Sequence, residues 1–347
     1  MGQNKPACVL VTRFSALGDV AMAIPVLYDA CRANPGVRFV FASRPWAAAL
    51  AQQPPSNLTV VPVDLKKEYN GLWGMVRLAR RLRRDCGVDA LADLHNVMRT
   101  WVMGAVLRLA GVSVRRIDKG RREKHDLVTA KLNRPLTHTT ERYRLTFERI
   151  GIAAPRQFTT LFTGNLPPCT LAGDKPVDTR WIAVAPFSAH EGKVYPLDKM
   201  RQVVAALAAR DHTHVFLMGG GEHEKTVLDG WAGDHHNVTN VAAVDHTFAD
   251  ELALLARCDL MVSMDSANMH LASLVGLRTL SVWGATHPHC GFMGYRQRDT
   301  DAVQLPLHCR PCSVFGDKPC RSGGYPCLNG ITPDMIVDKV NEILYGQ

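Results

Sequence analysis

The stretch RFSALGDVAMAIP, residues 13–25, carries a glycine and then a carboxylate, Gly18 and Asp19, shortly after the apolar run CVLV at 8–11. It has neither the GxGxxG spacing of a dinucleotide-binding turn nor the GxxxxGK(S/T) spacing of a P-loop, which argues against both kinds of site here. Gly18 permits a tight turn and the close approach of another molecule. Asp19 falls at the start of the next predicted helix, where it is either the helix N-cap or a base that the helix dipole keeps ionised.

Three polar loops in the second half of the chain each follow a predicted strand. PFSAHEGKVYP at 186–196 presents a lysine that can neutralise a phosphate. GGGEHEK at 219–225 combines glycines, which let a ligand lie against the backbone, with a carboxylate suited to a ribose diol. MDSANMHLASLVG at 264–276 begins a helix whose free N–H groups can hold a diphosphate. The residues concerned are Ser188, Lys193, Glu222, Asp265, Ser266 and His270.

Each of these residues also has an ordinary structural interpretation. A loop lysine is usually solvated, an acid at a helix start usually serves the helix, and a histidine inside a helix is usually packed. Taken jointly these interpretations are weaker, because three such loops at successive strand ends would meet at one edge of a parallel sheet.

Alternating strands and helices predict an α/β protein with two doubly wound parallel sheets. Strands are predicted at 7–12, 37–43, 58–64, 88–94, 181–186, 214–220, 238–242, 259–264 and 278–284. Helices are predicted at 20–33, 70–86, 197–210, 222–233, 248–257, 267–275 and 332–346.

The predicted organisation has two domains and a linker. The parts are an N-terminal domain over 1–165, a linker rich in Pro and Gly over 166–180, a C-terminal domain over 181–331 and a terminal helix over 332–347. Packing of that helix back on the first domain is one expected arrangement. Ligands bind at the carboxyl ends of strands in such folds, so the site is expected in the cleft between the domains.

Charge is distributed unevenly along the chain. Residues 1–165 contain 26 Lys and Arg against 12 Asp and Glu, a formal charge of +14, whereas residues 166–347 contain 15 against 20, a charge of −5. The first half should attract anions such as nucleic acid, anionic lipid or a phosphorylated substrate, although charge that serves only solubility gives the same pattern. The densest basic stretches are RLARRLRR at 77–84, a predicted helix face, and RRIDKGRREK at 115–124, a predicted loop.

The sequence shows no targeting or spanning segment. No apolar run reaches the roughly 18 residues that a membrane-spanning helix needs. The start, MGQNKPACVLV, lacks the ordered basic and apolar regions of a signal peptide. We therefore expect a cytoplasmic protein, either soluble or peripheral to a membrane.

Four of the ten cysteines cluster near the end of the chain, at Cys309, Cys312, Cys320 and Cys327. Four cysteines with one CxxC spacing suit a tetrahedral structural zinc site, and in a cytosolic chain metal is favoured over disulfides. Structural zinc, reduced thiols and disulfides all stay open at this point. None of them is expected to take part in catalysis.

Taken in order, SALGD in the first loop, KVYP after the linker, the GGGEHE turn and DSANMHLASLVG followed by TLSVWGATHP resemble glycosyltransferase family 9. These are the bacterial heptosyltransferases of lipopolysaccharide core assembly, and the resemblance covers nearly the whole chain. It implies the GT-B fold, in which two Rossmann-like domains face each other across a cleft. The first domain would bind the acceptor and the second the nucleotide sugar, with inverting transfer from ADP-heptose and no metal.

The resemblance also implies roles for particular residues. Asp19 would be the general base that takes the proton of the acceptor hydroxyl, and Lys193 would stabilise the charge on the leaving diphosphate. The implied donor-binding residues are Ser188, Glu222, His246, Asp265, Ser266, Ala267 and His270. The implied acceptor-binding residues are Ser15, Gly18, Arg99, Arg121, Arg122 and Lys124.

One position departs from the family pattern. Ala267 stands where many members have glycine, and the polar Asn268 follows it. A methyl group there can change how closely the sugar approaches. Transfer of another nucleotide-linked sugar to a different surface glycan is therefore an alternative.

The expected function is glycosyl transfer at the inner face of the inner membrane, to an anionic lipid-linked saccharide, with no cofactor needed for catalysis and no nucleic acid bound. An NAD-dependent oxidoreductase would need a glycine fingerprint after the first strand, which SALGD lacks. A basic nucleic-acid-binding protein would leave the acidic half and its three polar loops unexplained. An inactive donor-binding homologue would not need both Asp19 and Lys193.

Overall fold

The computed structural model of the protein describes residues 5–346. The chain divides into two units, each built on one sheet. Unit 1 is formed by the chain up to Lys119 together with Thr137–Thr163. Unit 2 is formed by Gly120–Leu136 together with the chain from Gly164 onward.

The sheet of unit 1 has five parallel strands in the order β3-β2-β1-β4-β5. The strands are β1 Cys8–Thr12, β2 Arg38–Ser43, β3 Leu58–Pro62, β4 Ala90–Asp93 and β5 Ser113–Arg116. The helices are α1 Leu17–Ala33, α2 Pro45–Ala48, α3 Gly71–Cys86, α4 Met98–Leu109 and α6 Thr139–Glu148. The central strands β1 and β4 are buried along their whole length, as apolar strands of a parallel sheet are when helices cover both faces.

The sheet of unit 2 has six parallel strands in the order β11-β10-β9-β6-β7-β8. The strands are β6 Arg180–Ala185, β7 Thr213–Leu217, β8 Val238–Asn240, β9 Leu260–Met264, β10 Thr279–Val282 and β11 Ala302–Val303. The helices are α5 Arg121–Val128, α7 Leu197–Ala208, α8 Glu222–Ala232, α9 Phe248–Leu255, α10 Ala267–Leu274, α11 Pro326–Asn329 and α12 Pro333–Tyr345.

The two parallel sheets confirm the predicted α/β class with two doubly wound parts. Every strand and helix predicted from the sequence is present, with ends shifted by at most three residues. The strong signal is the spacing of apolar residues, since a short continuous apolar run predicts a buried strand and a longer segment with a 3.6-residue period predicts a helix.

The stretch 115–124 is not the predicted loop. Its first two residues complete the edge strand β5, where Arg115 and Arg116 pair in parallel with the last residues of β4, and α5 begins at Arg121. An edge strand needs only one hydrogen-bonded neighbour and tolerates charged side chains. The pairing runs through the backbone and does not depend on side-chain type. A prediction based on apolar side chains therefore misses this strand.

Residues 120–136 fall within the predicted N-terminal domain but are grouped with unit 2. Leu127 and Leu136 pack with Cys290 in an apolar cluster. The Leu136 N–H donates to the His289 carbonyl at 2.9 Å. The chain thus leaves unit 1 after β5 and returns to it before α6.

The terminal helix α12 has its apolar face in unit 2. Ile336 and Val340 are fully buried in the same core cluster as Met200 and Val203 of α7. Packing of this helix back on the first domain stays a prediction.

Within residues 5–346, no helix combines the length and the apolar character that crossing a bilayer requires. The longest described helix, α1, has 17 residues. The next, α3, has 16 residues, five of which are arginines.

We predict opposite effects for the same substitution in two helices. A Cβ atom at Gly74 in α3 would lie 2.3 Å from the backbone carbon of Tyr69, whereas a Cβ at Gly230 in α8 meets nothing within 4 Å. Gly74→Ala should therefore lower the free energy of unfolding by about 1–3 kcal/mol, and Gly230→Ala should raise it by about 0.5–1 kcal/mol. Urea unfolding of both variants measures this, and equal effects would contradict the contact at Gly74.

Candidate active site

The turn after β1 brings Asp19 to the start of α1. Ala16 is the helix N-cap, and Asp19 is the third helical residue. The Asp19 Oδ2 atom accepts a hydrogen bond from the Ala16 N–H at 3.3 Å, so the carboxylate satisfies a free donor from inside the first turn. The N-cap interpretation is therefore wrong. The Asp19 side chain is 26% exposed and is reachable from solvent.

A buried arginine holds this carboxylate. The Arg13 Nη2 atom forms an ion pair with Asp19 Oδ2, and its Nη1 atom donates to the Leu94 carbonyl at 2.7 Å. The guanidinium lies 6.0 Å from the centroid of the Tyr143 ring, and the Tyr143 hydroxyl donates to the Asp19 carbonyl at 3.3 Å. Asp19 is therefore fixed by both its side chain and its backbone.

The end of β4 supports the same turn from the neighbouring strand. Asp93 is fully buried, and its Oδ1 atom accepts from the backbone N–H groups of His95 at 3.0 Å and Asn96 at 2.8 Å. The same oxygen accepts from the Thr12 hydroxyl at 3.3 Å. These bonds place the His95 Nε2 atom 3.3 Å from the Ser15 hydroxyl.

His95 is uncharged at neutral pH. Burial lowers its pKa to about 3, and the positive charges of Arg13 and Lys119 act in the same direction. The exposed Arg99, second residue of α4, adds a smaller contribution of the same sign. A neutral imidazole can donate to or accept from the Ser15 hydroxyl, depending on its tautomer.

Unit 1 brings together four of the predicted residues at the carboxyl end of its sheet. They are Ser15, Gly18, Asp19 and Arg99. The sequence analysis missed the residues that support them, which are Arg13, Asp93, His95 and Tyr143. Arg13 opens the stretch that was singled out and Asp93 ends a predicted strand, so both carried a usable signal, whereas nothing in the sequence distinguishes Tyr143.

In unit 2 an ion pair joins Lys193 and Asp265. The Lys193 Nζ atom lies 3.0 Å from Asp265 Oδ2, and the Thr286 hydroxyl donates to the same oxygen at 2.8 Å. The Ser188 hydroxyl donates to the Asp265 carbonyl at 3.3 Å. These residues follow β6, β9 and β10, which are neighbours in the sheet, so their loops meet at one edge.

The helix α10 begins beside this ion pair. Ser266 is its N-cap, and the hydroxyl oxygen accepts from the Asn268 N–H at 3.4 Å. Ala267 is the first helical residue, and His270, one turn further, is buried. First-turn N–H groups have no partner within their helix, so this end of α10 and the Lys193 ammonium together can accommodate an anion.

The glycine turn after β7 carries two acids with different surroundings. Gly221 has φ of +84°, a conformation that a side chain would strain. The Glu224 Oε2 atom accepts from the Gly220 N–H at 2.8 Å and holds the turn. The carboxylate of the exposed Glu222 has no hydrogen-bond or ion-pair partner in the part of the chain described, so it is free to bind a ligand.

His246 is engaged by protein groups at both ring nitrogens. Its Nε2 atom lies 2.9 Å from Glu251 Oε1, and its Nδ1 atom lies 2.7 Å from the Val244 carbonyl. The hydrogen bond to Glu251 raises the pKa of His246, and the bond to Val244 acts in the same direction. The imidazole can therefore offer a ligand only its ring face or its carbon edge.

Close backbone contacts hold the Lys193 loop. The Gly192 carbonyl accepts from the Ala285 N–H at 2.8 Å, and a Cβ atom on Gly284 would lie 2.6 Å from that carbonyl. A Cβ atom on Gly316, where φ is +76°, would lie 2.6 Å from Lys193 Cγ. The position of Lys193 thus depends on the loop after β10 and on the segment that contains the clustered cysteines.

The clustered cysteines Cys309, Cys312, Cys320 and Cys327 are free thiols, as are the other six. Burial raises the pKa of Cys312 and of Cys327. Residues 5–346 contain no group of three or more His, Cys, Asp or Glu side chains arranged to hold a metal ion. Zinc binding by this cluster stays a prediction that metal analysis of the purified protein would test.

The acceptor-binding residues predicted at the start of α5 belong to unit 2. Arg121 and Arg122 are exposed. Lys124 is buried, with its Nζ atom 4.1 Å from the centroid of the Phe292 ring, a cation–π contact. Lys124 therefore fixes α5 to the loop after β10, while the two arginines face solvent.

Comparison with known proteins places the chain among transferases. The family model of glycosyltransferase family 9 (heptosyltransferase) matches residues 75–321. Lipopolysaccharide heptosyltransferase 1 of Pseudomonas aeruginosa is 25% identical over 330 residues, a match that covers 88% of this chain and 85% of that protein. The protein of the same name from Escherichia coli K12 is 24% identical over 302 residues, covering 81% of this chain and 88% of that protein.

Solved structures share the fold. E. coli heptosyltransferase WaaC with ADP-2-deoxy-2-fluoro heptose has a TM-score of 0.65 and 19% identity, covering 96% of this chain and 99% of that one. E. coli ADP-heptose lps heptosyltransferase II has a TM-score of 0.67 and 16% identity, covering 97% and 98%. The likeness confirms the fold class that the resemblance implied.

We predict that His95 makes unit 1 less stable in acid. Its pKa is lowered from 6.5 to about 3 in the folded chain, so between these values the unfolded chain binds the extra proton and stability falls as pH falls. Replacing His95 with Gln should remove this effect, which at pH 5 is about 2 kcal/mol. Urea unfolding of wild type and His95→Gln at pH 7, 6 and 5 measures it.

His246 provides a control, because its effect on the pH dependence of stability should have the opposite sign. Its pKa is raised, so the stability that it contributes is present below about pH 6.5 and is lost as pH rises through the folded-state pKa. Wild type should therefore exceed His246→Gln in stability more at pH 5 than at pH 8. Parallel pH profiles for the two variants would contradict the electrostatic environments described for both residues.

Proposed function

The chain belongs to glycosyltransferase family 9, the heptosyltransferase family, and we propose that it transfers a heptose from ADP-heptose to a lipid-linked acceptor of the lipopolysaccharide core. The names of the relatives from P. aeruginosa and E. coli support this reaction. The observation that carries the proposal is the oriented, partly exposed carboxylate of Asp19, held by Arg13 at a turn that has no cofactor fingerprint.

Asp19 is the proposed general base. Arg13 and the Ala16 N–H both engage Oδ2, which leaves Oδ1 as the oxygen that accepts the proton of the acceptor hydroxyl. As that proton leaves, the hydroxyl oxygen forms a bond to the anomeric carbon and the bond from that carbon to the diphosphate oxygen breaks. One displacement of this kind inverts the anomeric configuration and releases ADP.

Unit 2 is proposed to hold the donor. An ammonium has three N–H donors, and Lys193 directs one of them to Asp265, so others are available for the diphosphate. The first turn of α10, with Ser266 and Ala267, supplies backbone donors for the same group. Glu222 would bind the ribose diol, and the ring of His246 would lie against the adenine.

The acceptor is proposed to be an anionic saccharide linked to lipid. Ser15, Gly18 and Arg99 accompany Asp19 in unit 1, and the exposed Arg121 and Arg122 of α5 supply further positive charge. Guanidinium groups bind phosphates and carboxylates through paired N–H donors. Action at the inner face of the inner membrane follows from a lipid-linked acceptor, and no cofactor is required for the displacement.

We predict that ADP stabilises the protein through Glu222. Glu222→Gln keeps the shape of the side chain and removes the charged acceptor, so the affinity for ADP should fall about tenfold to a hundredfold. Thermal unfolding in titrations of ADP, UDP, GDP and NAD measures the affinities. The matched control is Asp198→Asn, an exposed acid in the first turn of α7, which should bind ADP as wild type does.

The other outcomes of this titration are equally informative. Stabilisation by UDP or GDP alone would be consistent with a transferase that uses a different nucleotide sugar as donor. This is the alternative that Ala267 suggests. Stabilisation by NAD with no response to ADP, UDP or GDP would overturn the proposal.

We further predict that Asp19→Asn lowers kcat about 10²–10⁴-fold, the usual contribution of a general base. ADP release in the presence of ADP-heptose and a heptose-free core acceptor measures the rate. The variant should keep the thermal shift with ADP, because Asp19 and the donor-binding residues lie in different units. If the variant retains the wild-type rate, Asp19 is not the general base.

A further inference from the structure

The helices α3 and α4 pack side by side in unit 1. Their inner faces, with Met75, Leu78, Met103 and Leu107, are buried in one apolar core cluster. Their solvent-facing residues form what we call the α3–α4 outer face. Its exposed arginine and large apolar side chains are Leu72, Trp73, Arg77, Arg80, Arg81, Arg84, Met98, Arg99, Trp101, Arg108 and Leu109, and its other exposed residues are Gly71, Asp85 and Ala105.

The positive charge of these helices is largely uncompensated. Together they contain seven arginines, five in α3 and two in α4, and a single acid, Asp85. Asp85 is already paired with Arg84 and Arg81. The side chains of Arg80 and Arg83 form no ion pair and no hydrogen bond with any residue from 5 to 346.

Large apolar side chains are concentrated on the same face. Of the eleven large hydrophobic residues that are exposed in the described chain, five belong to α3 and α4. Trp73 is 81% exposed and Leu109 is 91% exposed. A solvated helix face gains nothing from such residues, whereas an interfacial helix combines them with arginine.

A cavity of about 480 Å³ lies where α3 and α4 end. Arg80, Arg83 and Arg84 line one part of it, and Val106 and Leu107 line another. Guanidinium groups beside an apolar wall match a phosphate that is joined to the start of an acyl chain.

We propose that the α3–α4 outer face docks on an anionic bilayer and that the arginine-lined cavity takes the phosphate of a phospholipid headgroup. The inference rests on the proposed function for its setting, because a lipid-linked acceptor is met at a membrane. Trp73 would enter the interface, where tryptophan is favoured, and the arginines would meet the headgroups. A nucleic acid would also attract arginine but offers no environment for Leu72, Met98 and Leu109.

The test is binding of the full-length protein to vesicles by flotation. Vesicles of phosphatidylglycerol and phosphatidylethanolamine should bind the wild type, and vesicles of phosphatidylcholine should bind it much less. Raising NaCl from about 50 mM to about 300 mM should weaken binding strongly, because the screening length shortens. Arg80→Glu/Arg83→Glu should lower the partition coefficient about tenfold or more, and Trp73→Ser should lower it about threefold or more at either salt concentration.

The matched control is Arg149→Glu/Arg321→Glu, which makes the same change in net charge at two exposed positions outside α3 and α4. It should bind vesicles nearly as wild type does. Equal losses in the two double variants would overturn the docking surface, as would wild-type binding to a 30-nucleotide RNA without binding to vesicles. The Arg80→Glu/Arg83→Glu variant should keep its thermal shift with ADP.

The ADP response separates the two proposals. A protein that responds to ADP but does not bind anionic vesicles contradicts the docking surface alone. A protein that binds vesicles through α3 and α4 but ignores ADP contradicts the donor in the proposed function alone.

Discussion

The ion pair between Lys193 and Asp265 is the interaction on which the site of unit 2 depends. Only 5% of the Asp265 side chain is exposed, and burying a carboxylate so far from water is costly unless a cation and hydrogen-bond donors surround it. Lys193 supplies the cation and Thr286 supplies a donor. Because these residues follow three neighbouring strands, satisfying one buried charge also fixes three loops. The same arrangement leaves an ammonium beside the first turn of α10, the position proposed for the donor diphosphate.

Unit 1 also contains an ion pair at its site, between Arg13 and Asp19, but the burial of the two partners is reversed. Here the cation, Arg13, is the more buried partner, with 7% of its side chain exposed against 26% for Asp19. Its guanidinium also bonds to the Leu94 carbonyl, so the arginine is anchored to the sheet and the carboxylate is anchored to the arginine. The proposed role of Asp19 as general base needs this combination of fixed direction and access. The neutral His95 adds a polar neighbour without adding a competing positive charge.

The sequence predicts the elements and the chemistry-bearing loops, but not the partners that orient them. Asp19 and Lys193 could be located because each follows an apolar run and stands among glycines or polar residues. Tyr143 reaches the Asp19 carbonyl, and Arg13 is anchored to the Leu94 carbonyl, across long stretches of chain. Such contacts are set by strand order, which hydrophobic period does not encode. The strand β5 was hidden because two of its four side chains are arginines, while its pairing with β4 runs through the backbone. The unit to which α5 belongs was hidden because α5 contacts residues far along the chain, as Lys124 does with Phe292.

The segment with the clustered cysteines contributes to the site whether or not it binds metal. Arg310 donates to the carbonyls of Gly284 and Thr286, and the Cys312 N–H donates to the Ala285 carbonyl at 3.0 Å. These bonds hold the loop from which Thr286 reaches Asp265. Gly316 lies so close to Lys193 that a methyl group there would collide with its side chain. The cysteine spacing predicted a metal site in this segment. The contacts of the segment with the ion pair and its loop, however, are made by backbone groups, Arg310 and Gly316. A function for the thiols would therefore act on the site by changing the shape of this segment.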